Sequence, residues 1–88
     1  MSRLSFHAAR CEALFASCLQ QSENPSPEQV RTAIQQEIRR YGLRGCVAMV
    51  AREFGDHPDT AVARMCWVNQ TVSWVYGTHA DDKSKRIE

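Results

Sequence analysis

The stretch SPEQVRTAIQQEIRRYG, residues 26–42, decides the fold of this chain. Ser26, then Pro27, then Gln29 three residues after the serine, has the form of a helix start. The serine caps, the proline loses nothing by lacking an N–H in the first turn, and the glutamine can reach back to the cap. Val30, Ala33, Ile34, Ile38 and Tyr41 then recur at helical spacing. Gly42 can take the left-handed conformation that closes a helix. The stretch predicts a helix over 27–41.

Upstream, Leu4, Ala8, Cys11, Phe15 and Cys18, widened by Leu14 and Leu19, predict an amphipathic helix over 5–21, stopped by the turn-forming residues of SENPSP in a loop at 22–26. Downstream, Cys46, Val47, Val50, Ala51 and Phe54 predict a short helix over 45–54 with Gly55 as its terminator. Pro58 cannot continue that helix but suits the first turn of the next, with Asp56 or His57 near its cap. Ala61, Met65, Val68, Val72 and Val75 carry the last helix over 58–76, ending at Gly77. No segment alternates as a half-buried strand does. The expectation is an all-α, four-helix domain over residues 1–77. The last eleven residues, THADDKSKRIE, hold one aliphatic side chain besides alanine and are expected to form a flexible tail.

Eighty-eight residues, 43% of them hydrophobic, suffice for one core and leave no room for a second domain. No apolar run approaches the ~20 residues that span a bilayer, and the N-terminus lacks the apolar stretch of a secretory signal, so a cytoplasmic protein without membrane contact is expected. Cys11, Cys18, Cys46 and Cys66 are then expected as reduced, buried thiols. They form no Cys-x-x-Cys pair, and although His7 and Cys11 share a helical face, no metal site and no cofactor is assigned. No nucleophile–base pair or phosphate-cradling glycine loop is visible either, so no catalytic residue is expected. The net charge of +1 carries no gross footprint for nucleic acid.

Two features point to a partner. Arg31, Arg39, Arg40, Arg44 and Arg52 bracket the junction of the second and third helices, where guanidinium forks could receive an acidic surface. Trp67 and Trp74, seven residues apart, form an aromatic stripe displaced from the core stripe of the last helix, and tryptophan is enriched where proteins meet. The expected function is that of a small non-enzymatic accessory or regulatory protein docking to another protein or to itself. Trp67, Trp74, Arg39, Arg40, Arg44 and Arg52 would bind the partner.

Segment 47–68, VAMVAREFGDHPDTAVARMCWV, resembles the helix-turn-helix of DNA-binding regulators through Ala51, Gly55 and Ala61. That resemblance implies the competing reading, a transcriptional regulator using Thr60 and Arg64. Asp56 and Asp59 stand where such proteins place cations, and their carboxylates would repel phosphates. The runs RYGLRGC, EFGDHP and RMCW resemble small helical proteins of actinobacterial genomes over most of residues 8–76. This implies a bacterial regulatory or accessory role and carries over no catalytic residue or ligand.

Overall fold

The computed structural model describes residues 2–77, with side chains described from Phe6 onward. The tail expected at 78–88 lies outside the described residues. All regular structure within them is helical: α1 (Ser2–Ala16), a 3₁₀ turn (Gln21–Glu23), α2 (Pro27–Asp56) and α3 (Pro58–Tyr76).

The start of α2 is built as its sequence requires. The Ser26 hydroxyl accepts from the Gln29 N–H at 3.1 Å, and the Gln29 side chain accepts from the Ser26 N–H at 2.8 Å. Two of the amide groups that a helix start leaves unpaired are thereby satisfied. The expected second and third helices are the two arms of α2, which breaks at one residue. Gly42, at φ 73° and ψ 169°, occupies a region open only to glycine, so the expected loop at 42–45 shrinks to a single bend. The bend is sharp enough to bring the Cys46 thiol within 3.8 Å of the Glu37 carbonyl, nine residues back.

Gly55 does not end the second arm. The helix continues to Asp56, and His57 alone joins it to α3, with its N–H donating to Glu53 O at 2.7 Å and its carbonyl accepting from Ala61 N at 2.9 Å. The His57 side chain makes no capping bond, and neither Asp56 nor His57 caps α3 by its side chain. Gly77 ends α3 as expected, and does so in the left-handed conformation, at φ 61°.

The first helix is shorter than its periodicity predicts, ending at Ala16 rather than near residue 21. The Ser17 hydroxyl donates to Leu14 O at 2.6 Å and accepts from Leu19 N at 3.3 Å. From α3, the Arg64 guanidinium donates through Nε to Phe15 O at 2.9 Å and through Nη2 to Leu14 O at 3.2 Å and Ser17 O at 3.0 Å. The carbonyls a helix end leaves open thus go to a side chain almost fifty residues away.

Cys11, Ala13, Leu14 and Phe15 of α1 meet Val30, Ile34 and Cys46 of α2 and Ala61, Val68 and Val72 of α3 in one core. Phe15 also stacks on Phe54 at 5.9 Å between ring centroids, tying α1 to the second arm. Burying side chains such as Leu14, Val30, Val68 and Val72 contributes roughly 1.5–3 kcal/mol each before entropy is charged against it. Cys11 and Cys46 are buried as expected, whereas Cys18 and Cys66 are exposed, which corrects the expectation for those two. No helix among the described residues is long and apolar enough to cross a membrane.

Candidate docking surface

The break at Gly42 makes a knuckle. Before it the helix presents Arg39, Arg40 and Tyr41, after it Leu43, Arg44 and Val47, and all six are exposed. Tyr41 is 46% exposed, Leu43 49% and Val47 45%, values high enough that the core does not account for these side chains. The Arg40 guanidinium lies 5.8 Å from the Tyr41 ring centroid, within cation–π reach. An apolar centre with guanidinium groups beside it is the composition of a protein-binding patch.

The three arginines are legible in the sequence and the apolar centre is not. Tyr41 keeps helical spacing with Ile34 and Ile38, and Val47 with Val50 and Phe54, so periodicity alone puts both on core faces. The signal was the glycine within RYGLRG, since a residue of positive φ resets the phase of the helical wheel.

The other expected partner residues separate. Arg52 lies away from the knuckle, in a cleft of about 510 Å³ that also takes in Glu53, Asp56, Thr60 and Arg64. Arg31 is exposed on the first arm. Trp74 is 62% exposed, but Trp67 is half-buried against the core with the Arg64 guanidinium 5.6 Å from its ring. The tryptophan stripe is therefore one free ring and one packed ring. Arg64 itself is occupied: it serves α1 and spans the rings of Phe15 and Trp67, and burial holds its pKa below the usual arginine range. Of the two residues implied by the helix-turn-helix resemblance, Thr60 is exposed and Arg64 would have to abandon the end of α1 to reach a phosphate.

His7 and Cys11, which the sequence places on one face, meet Asn69 of α3. His7 Nε2 is 2.9 Å from Asn69 Oδ1, Cys11 Sγ is 3.4 Å from the same oxygen, and Sγ and Nε2 are 3.4 Å apart. The Asn69 amide nitrogen donates to Met65 O at 3.2 Å, which turns Oδ1 toward His7 and requires the proton on Nε2. Nδ1 is buried, with no hydrogen-bond partner among the described residues. Burial, and secondarily the Glu12 carboxylate, push the Cys11 thiol up to about 11, the reverse of what activates a nucleophile. Among the described residues no three His, Cys, Asp or Glu side chains are placed to hold a metal ion.

Nearby, Arg10 stands 4.0 Å from the Tyr76 ring centroid and 5.8 Å from that of Phe6, itself 63% exposed. The Arg10–Tyr76 contact ties α1 to the end of α3, and the Arg10–Phe6 contact lies within α1.

Comparison of the chain with protein-family models, with curated proteins and with solved structures gives no match.

Proposed function

We propose that this chain is a small, non-enzymatic, cytoplasmic accessory or regulatory protein that docks an acidic protein surface on its Gly42 knuckle. One observation carries the reading: Tyr41, Leu43 and Val47 stand exposed in the same nine residues as the exposed arginines Arg39, Arg40 and Arg44. Apolar side chains would supply the desolvated centre, and the guanidinium groups would steer and orient a carboxylate-rich partner. Trp74, with its ring largely in solvent, is a second contact, suited to self-association.

Light scattering at micromolar concentration separates the two modes, with Trp74→Ala as the variant that abolishes self-association. Docking to a second protein is tested by affinity capture with wild type, Leu43→Asp, Arg44→Glu and the distant Arg31→Glu. The reading expects a bound protein that both knuckle variants lose and Arg31→Glu retains. It fails if the chain is monomeric and the knuckle variants capture what wild type captures. A duplex of mixed sequence belongs in the same series. Binding that weakens steeply with salt would favour the DNA reading, in which Thr60 and a displaced Arg64 face the phosphates.

A further inference from the structure

A second cleft of about 580 Å³ lies between the chain leaving α1 and the first arm of α2, and meets the cleft that holds Arg52 and Arg64 only at Ser17. Its charged lining is Glu23, Glu28 and Glu37 against Arg40 alone. Two of the carboxylates have local duties. Glu23 accepts from the Gln20 N–H at 3.5 Å, and Glu28 sits in the first turn of α2, where the helix end is positive. Glu37 has no such duty. It lines the cleft, is only 8% exposed, and its Oε1 is enclosed without a hydrogen-bond partner among the described residues. An unpartnered buried carboxylate oxygen burdens the fold, and a cation that drew the carboxylate out would relieve it.

The spacing indicates which cation. With no three acidic, thiol or imidazole groups among the described residues close enough to share a metal ion, a compact ion finds too few ligands. Glu28 and Glu37 are nine residues apart on one arm, about 13 Å along the axis at 1.5 Å per residue and about half a turn round it at 3.6 residues per turn, so they border the cleft from its two edges. They flank a strip carrying the amides of Gln29, whose oxygen already takes the Ser26 N–H, and Gln36, whose oxygen can accept from an ammonium group. Negative charge divided over that length suits a long chain with positive charges at intervals.

We propose that this cleft binds a linear oligoamine, one terminal ammonium on Glu37 and the chain running across the amide strip toward Glu28. It is a small-molecule site separate from the docking reading, sharing only Arg40 with the knuckle.

Calorimetric titration with spermine is the test, with n-butylamine and magnesium chloride at matched ionic strength as comparisons. The proteins are wild type, Glu37→Gln, Glu28→Gln and, outside the cleft, Glu53→Gln. Wild type is expected to bind spermine at least about tenfold more tightly than butylamine or magnesium. Glu37→Gln should lose about tenfold, Glu28→Gln several-fold and Glu53→Gln nothing, losses of 1.4 kcal/mol or less each on the scale where tenfold is about that much. Amide shift mapping on wild type, confined to residues 28–37 and the facing connection, supports the site even if Glu37→Gln fails to fold. Absence of saturable binding at millimolar spermine, equal binding by Glu37→Gln, or equal affinity for magnesium overturns it.

Discussion

Replacing Arg64 by alanine should be among the most damaging single changes outside the apolar core. Its guanidinium makes three hydrogen bonds to the carbonyls of Leu14, Phe15 and Ser17. Hydrogen bonds from a charged donor contribute roughly 1.5–3 kcal/mol each when well buried. Arg64 is partly open to water and the freed carbonyls can be rehydrated, so a loss of about 2–4 kcal/mol for the whole set is the reasonable total. A domain of 88 residues holds roughly 4–13 kcal/mol at ~0.05–0.15 kcal/mol per residue, so this is a large share. At ~4–8 °C per kcal/mol, Tm should fall by roughly 8–32 °C. Arg64→Lys keeps the charge but not the fork, and should recover about half or less. Urea unfolding followed by circular dichroism measures both, and tryptophan emission reports the loss of the cation beside Trp67. If Arg64→Ala costs less than about 0.5 kcal/mol, or lysine restores full stability, the end of α1 is held by something other than this side chain.

Alkaline pH should unfold the protein through its buried thiols. Cys11 is raised from 9.0 to about 11 and Cys46 is raised as well, chiefly by burial. A folded-state value above the unfolded one gives stability that is complete below pH 9 and lost as pH climbs toward 11. For Cys11 the loss amounts to up to about 2–3 kcal/mol. Urea midpoints measured across that window should flatten in Cys11→Ala, and an unchanged slope would refute the assignment. Ellman's reagent should modify Cys18 and Cys66 quickly and Cys11 and Cys46 only on unfolding, so four fast thiols would contradict the core described here. Gly42, at the break in α2, and Gly55, inside its second arm, should respond oppositely to alanine. Gly42→Ala forces a side chain into glycine-only backbone space and should cost about 1–3 kcal/mol. Gly55→Ala, in a helix with nothing within 4 Å of the added carbon, should be neutral or stabilise by up to about 1 kcal/mol. Thermal melts of the pair decide it.

Local chemistry made much of the fold legible. Ser26, Pro27 and Gln29 specify the start of α2 among themselves, and Val30, Ile34, Val68 and Val72 mark the inner faces by spacing alone. What escaped depends on distant residues or on one dihedral. Nothing near Ala16 stops a helix on sequence grounds, because the terminating donor is Arg64. Gly55 and Gly42 look equally suited to end a helix, yet one sits inside the second arm and the other breaks the chain with almost no loop. The candidate surface shows the same division. Arginines announced themselves by type, whereas the exposure of Tyr41, Leu43 and Val47 follows from the direction the chain takes after Gly42. Glu37 gave no signal, since a glutamate between Gln36 and Ile38 reads as solvent-facing until α1 covers it.

The joints at Gly42 and His57 are each one residue long, so the three straight segments they connect have no slack between them. Among the described residues, the ten from Ser17 to Ser26 are the one span with length to spare. A circular permutant opened within that span would leave both joints whole, while opening at either joint would cut a connection with nothing in reserve. That same span forms one wall of the carboxylate-lined cleft, and the first arm of α2, which fixes the spacing of Glu28 and Glu37, forms the other, so the packing of residues 17–26 sets how wide the cleft stands.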